Sequence, residues 1–342
     1  MNAYARAVLP LIPGDSTCHQ LPVHCIFPHR CRVRMKGLVA NLLFGVLLTL
    51  WFSVPSVHAD NIYVSTFNLN TVVEFDSGGN QSTFATAGSG LNYPSGLAFD
   101  ANGNLYVSNS GGGNGNSTIE EFSPNGSGSI FASTGLSYPT GLAFDTGGNL
   151  YVSNIGNNTI EEFDGSGTGS VFATAASGLD LPKGLAFDSS GNLYVANYNN
   201  TILKFNTGGG VSIFASSGLS NPQGLAFYGG DLYVANAGNN TIEEFNSSGQ
   251  GSTFTSTNLL RFPVGLAIDS SGDLYVASEG NASIVEFSPS GVGSVFASGF
   301  GNAAYLAIDD IPEPSTFLLL GLGLSLLAFF HKVALPRDRV GA

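Results

Sequence analysis

Between Asp60 and Ile311 the chain has no cysteine and no histidine, since Cys18, Cys25, Cys31, His19, His24, His29 and His58 all lie upstream and His331 lies downstream. That stretch can form no disulfide, thiol nucleophile, Ser-His-Asp relay or His-ligated zinc site. What remains is carboxylate acid–base chemistry and oxygen ligation. The spacing therefore implies no cofactor, with calcium the one ion that an oxygen-only donor set would suit. The stretch holds three basic residues, Lys183, Lys204 and Arg261, against 21 Asp and Glu. A surface so acidic is a poor partner for nucleic acid. Lys183 and Arg261 are then candidate anion clamps. The repeated aspartates Asp100, Asp145, Asp188, Asp269 and Asp309 resemble a ligand ring at first sight. Their context, Asp-x-x-Gly-Asn/Asp, is instead that of a side-chain-capped turn.

The elements that carry these residues recur about every 42 residues, in six copies. GLAFD-like segments begin at Gly96, Gly141, Gly184, Gly224 and Gly265, with an altered copy at Tyr305–Asp309. Leu/Ile-Tyr-Val follows around Tyr63, Tyr106, Tyr151, Tyr194, Tyr233 and Tyr275. Third segments end at Phe75, Phe122, Phe163, Phe205, Phe245 and Phe287, and fourth segments near Phe84, Phe131, Phe172, Phe214, Phe254 and Phe296. Short runs rich in Val, Ile, Tyr and Phe, bounded by Gly, Asn, Asp and Ser, read as strands joined by tight turns. No helix fits within the repeat. Four strands per repeat make one blade, and six blades make an all-β six-bladed β-propeller, a ring that buries what no single blade could.

The first copy starts with the second strand type, at Asn61, and the last ends with the first type, at Asp309. One blade must therefore be shared between the two ends, which removes the exposed edges that invite aggregation. Five of the six inner strands are preceded by Pro-x-Gly, and x varies: Ser95, Thr140, Lys183, Gln223 and Val264, with Ala304 the counterpart in the altered copy. These side chains are expected to ring the mouth of the central channel. On the same face the second strands end at Asn109, Asn154, Asn197 and Asn236, with Thr66 and Ser278 at the other two positions. Ser95, Thr140, Lys183, Gln223, the four asparagines and Arg261 form the candidate ligand surface, with no catalytic residue and no metal ligand assigned. Glu74, Glu121, Glu162, Glu244 and Glu286, one per blade, are too dispersed for a catalytic pair. Lys204 replaces the sixth and is expected to relieve repulsion or pair with a neighbour.

The ends of the chain have a different composition. Met35-Lys36, an apolar run to Val54 and Pro55-Ser56-Val57-His58-Ala59 form a secretory signal over 35–59, with cleavage expected after Ala59. Residues 1–34 are expected to be an upstream extension ahead of the true start at Met35. At the other end Pro312-Glu313-Pro314 precedes an apolar run, Phe317 to Phe330, and a basic tail with Lys332, Arg337 and Arg339. Basic residues hold that end in the cytoplasm.

Residues 312–342 resemble the PEP-CTERM sorting signal of exopolysaccharide-producing Gram-negative bacteria. The resemblance implies a transmembrane helix, transient residence in the inner membrane, processing by an exosortase-type membrane protease, and delivery to the cell surface or matrix. The repeats over 60–311 resemble NHL-type propellers, which include protein- and RNA-binding modules, a streptogramin lyase and gluconolactonase-like metal-dependent hydrolases. The lyase chemistry of that group relies on histidine, which this domain lacks. The expectation is a non-enzymatic binding or structural component whose partner is exopolysaccharide or a surface protein. The alternative is an oxygen-liganded, metal-dependent lactonase or hydrolase of the gluconolactonase-like kind.

Overall fold

The computed structural model describes residues 61–113, 116–299 and 301–309. The expected upstream extension and signal segment, Pro312, Glu313, Pro314 and the apolar run after them lie outside these. Among the described residues no helix is long and apolar enough to cross a membrane.

The described residues form six four-stranded antiparallel sheets. The inner strands are Pro94–Phe99, Pro139–Phe144, Leu185–Phe187, Pro222–Tyr228, Pro263–Ile268 and Ala303–Asp309. Blades 2 to 6 start from the first five in that order. Blade 1 joins Ala303–Asp309 to Asn61–Thr66, Thr71–Phe75 and Gln81–Ala85. Its closure is an antiparallel ladder in which Asn61 faces Asp309, Tyr63 faces Ala307 and Val64 faces Leu306. The only helical segments described are single 3-10 turns, such as Ala87–Ser89 and Glu279–Asn281. They occur in connections, so the four-strand reading of the repeat stands.

The core is divided among the junctions between blades. Tyr63 of blade 1 stands edge-on to Phe84 of its own blade and to Phe99 of the next, each at 5.0 Å. Tyr106, Tyr151 and Tyr194 repeat this bridge to Phe144, Phe187 and Phe227. Such pairs add about 0.5–1.5 kcal/mol beyond area burial. Nearer the channel the blades touch through backbone. A Cβ on Gly141 would lie 2.3 Å from the Lys183 carbonyl oxygen, and one on Gly184 2.3 Å from that of Gln223. Only glycine permits that approach.

A serine on the second strand ties three of these junctions. Ser153 Oγ accepts from the Gly141 N–H at 2.8 Å and donates to the Lys183 carbonyl at 2.6 Å. Ser108 does the same between Gly96 and Thr140, and Ser65 between Tyr305 and Ser95. Ala196, Ala235 and Ala277 occupy this position in the other blades.

The glutamates of the third strands play two roles. Glu74, Glu244 and Glu286 accept from the phenols of Tyr63, Tyr233 and Tyr275 at 2.8–3.2 Å. In blade 4, Tyr194 turns to Asp188, and Lys204 lies 3.7 Å from that carboxylate, the pairing expected of it. The residues one position earlier, Glu120, Glu161 and Glu243, are 4–6% exposed. Val73, Leu203 and Val285 are their counterparts. Burial pushes the carboxyls of Glu120 and Glu161 upward.

Glu161→Leu is therefore expected to stabilise the ring by roughly 1–3 kcal/mol at neutral pH, since it removes a buried charge where blade 4 already uses leucine. A folded-state pKa above the unfolded one means the parent is favoured at low pH and loses stability as pH rises through the folded pKa. The advantage of the variant in urea titrations should thus be full at neutral pH and shrink on acidification. A gap constant with pH would refute it.

Candidate functional site

The connections from fourth to first strand and from second to third strand share one face, because side chains of one reach the other. Asn109 Oδ1 accepts from the Asn92 N–H at 3.0 Å, and its Nδ2 donates to the Gly90 carbonyl and Thr118 Oγ1, each at 3.0 Å. Asn154, Asn197 and Asn236 repeat this clasp on Ser137 and Gly135, Asp180 and Gly178, and Ser220 and Gly218. All four are fully buried. This corrects the ligand surface expected of them: their amides are committed to holding the loops that enter the inner strands.

The ring of variable residues also differs from expectation. Ser95, Thr140 and Gln223 are 5–8% exposed. Thr140 Oγ1 is bonded to Ser153 Oγ at 2.9 Å, and Gln223 Nε2 donates to Asn221 Oδ1 at 2.8 Å. The mouth is packed, because neighbouring inner strands approach closely enough to cover these side chains. The Arg261 side chain is exposed and runs along Gly280, while its N–H and carbonyl are clasped by Ser278 Oγ at 2.8 and 3.1 Å.

Of the six variable residues at the mouth, Lys183 is the one with an ionisable side chain. Burial pulls its ammonium below the ordinary lysine range, and Glu279, in the second-to-third connection of blade 6, opposes that shift. Burial likewise pushes the Glu279 carboxyl up, against the pull of Lys183. Tyr305, which stands where five blades have glycine, has its phenol raised by burial and by the Glu279 charge. Lys183 of blade 4 and Tyr305 of blade 1 thus each lie in the field of Glu279 of blade 6, which brings an amine, a carboxyl and a phenol to the mouth. Among the described residues no cluster of three His, Cys, Asp or Glu could hold a metal ion. Glu279 escaped the sequence reading, although it is the acidic member of a loop position occupied elsewhere by Phe67, Ser110, Ile155, Tyr198 and Ala237.

Around the mouth stands a crown that sequence reasoning also missed. Tyr93, Tyr138, Leu181, Asn221 and Phe262 directly precede the prolines and have φ of +45 to +54°. A left-handed conformation is costly for such residues, by about 1–3 kcal/mol each. An asparagine of the preceding blade secures four of them: Asn70, Asn158, Asn200 and Asn240 accept from the N–H of Tyr93, Leu181, Asn221 and Phe262 at 2.6–2.7 Å. Tyr93, Tyr138, Leu181 and Phe262 are 36–43% exposed. The signal for the crown was the residue before each Pro-x-Gly, large and apolar in four of five copies.

Residues 310–332 match the PEP-CTERM protein-sorting motif. No curated protein matches the chain. The structure is similar to one in a nidogen/laminin complex, with 19% identity, TM-score 0.64, 73% of this chain and 97% of the other covered. It is also similar to virginiamycin B lyase of Staphylococcus aureus, with 16% identity, TM-score 0.56 and coverage of 70% and 80%. A streptogramin B lyase aligns at 18% identity and TM-score 0.51, covering 71% and 75%. At these identities the likeness is one of fold. The body is a six-bladed propeller and the chain carries a PEP-CTERM motif.

Proposed function

We propose that this propeller is an exported component of the cell surface or extracellular matrix, processed by an exosortase-type membrane protease, which acts by binding rather than by catalysis. The observation that carries the reading is the position of the sorting motif, which begins at residue 310, directly after the ring-closing strand Ala303–Asp309. Inner strands run from the mouth to the opposite face, so Asp309 and its partner Asn61 lie on the side away from Lys183 and the crown. A tether of about seven residues before Phe317, at most ~3.5 Å each, keeps the motif close to that side while the precursor is in the inner membrane. The mouth then faces outward. Exposed, conformationally pinned Tyr93, Leu181 and Phe262 around it suit a surface that binds without reordering. Polysaccharide or a surface protein is its partner.

Changing Pro312, Glu313 and Pro314 together to Ala is expected to leave the thermal midpoint unchanged and to trap uncleaved protein in the membrane fraction of its host. Release as efficient as that of the parent would overturn the sorting assignment.

A further inference from the structure

A second site lies on the face opposite the mouth. The turns after the inner strands of blades 4 and 5, with Ser247, enclose a groove of about 500 Å³ lined by Asp188, Asn192, Tyr194, Lys204, Phe227 and Tyr228 among others. Two residues that break the sixfold repeat meet here. Lys204 stands where the five other blades have glutamate, and Tyr228 where the five other blades have aspartate. Because blade 5 turns through Gly229-Gly230, one residue shorter than its counterparts, Tyr228 is carried out over the groove. Its ring rests against Gly272 of blade 6, where a Cβ would come within 2.7 Å of it, and the residue is 40% exposed. Such a ring is a fixed platform.

Lys204 Nζ lies 3.7 Å from Asp188 Oδ2 and 5.0 Å from the centre of the Tyr194 ring. Hydrogen bonds from Asn192 and Tyr194 lower the Asp188 carboxyl against the cost of burial, and contact with Tyr194 raises the Lys204 ammonium. The pair is charged at neutral pH but loosely engaged. Adjacent donor and acceptor beside an exposed aromatic face match a ring molecule with vicinal hydroxyls and one apolar face. One hydroxyl accepts from the ammonium, its neighbour donates to Asp188 Oδ2 in place of the 3.2 Å bond from the Tyr194 phenol, and the C–H face stacks on Tyr228. An anionic ligand is disfavoured, because Asp188 already neutralises the lysine and the domain is strongly acidic.

We infer that the groove between blades 4 and 5, with Lys204, Asp188 and Tyr228, binds a neutral saccharide residue. The test is calorimetric titration of the full chain in detergent with maltotetraose and cellotetraose, alongside oligoglucuronate. Saturable binding of a neutral oligosaccharide is expected, weakened at least about tenfold by Lys204→Glu and by Tyr228→Ala, with thermal midpoints close to that of the parent. Lys204→Glu restores the residue of the other blades and so preserves the fold. Lys183→Ala, at the mouth, should leave this affinity unchanged. Absence of neutral-sugar binding, binding insensitive to both groove variants, or binding of oligoglucuronate alone would each overturn the inference.

Discussion

Deleting Ala303–Asp309 should leave no folded ring. The strand contributes Ala303 and Leu306 to the core between blades 6 and 1, and Ala307 to the core between blades 1 and 2. Its loss opens both junctions and strips Asn61–Thr66 of its inner partner. Burial of Leu306 alone contributes roughly 1.5–3 kcal/mol, against a net stability of about 5–15 kcal/mol for a whole domain. Near-ultraviolet circular dichroism should lose its aromatic signal, and limited proteolysis should find no resistant fragment. A stable core spanning residues 94–298 would show that blades 2 to 6 hold together unclosed.

Gly141→Ala should be nearly as damaging, costing roughly 3–5 kcal/mol in urea unfolding, at the extreme for one added methyl group. The new Cβ would meet the Lys183 carbonyl oxygen at 2.3 Å, with Ser153 Oγ and Gly184 Cα at 3.1 and 3.2 Å. Two of these are backbone atoms and cannot swing aside. Moving the carbonyl would also break the bond it accepts from Ser153. The companion change Ser153→Ala should cost only about 1 kcal/mol, since Ala196, Ala235 and Ala277 fill that position in three blades. Equal losses for the two variants would mean that the hydroxyl, and not the close approach, secures the junction.

Strand order and closure were legible because turn chemistry and strand residues repeat six times, so each copy checks the others. The first strand of the chain and the last could only be one blade. The site was less legible. Asn109 and its equivalents are loop-end asparagines in sequence, and residue type alone cannot tell an amide clasping a backbone from one offered to a ligand. In Thr-Ile-Glu-Glu-Phe, Glu120 and Glu121 point to opposite faces, which in an ordinary sheet would mean one inside and one outside. Here both faces of a blade are covered by neighbours, so depth along the blade decides which glutamate is buried. Lys183 was visible as a departure from the repeat, whereas Glu279 lay in a loop position with no consensus to depart from.

The pairing of Asn61 with Asp309 also settles how the molecule carries mechanical load. A pull applied through the chain beyond Asp309 enters at the last residue of the ring-closing strand. Force is not spread over six blades but falls first on one ladder. In line with the strand it acts in shear on all the hydrogen bonds of that ladder together, and across the strand it acts on them one at a time, beginning at Asn61. The seam that makes the ring cooperative is thus also its tear line.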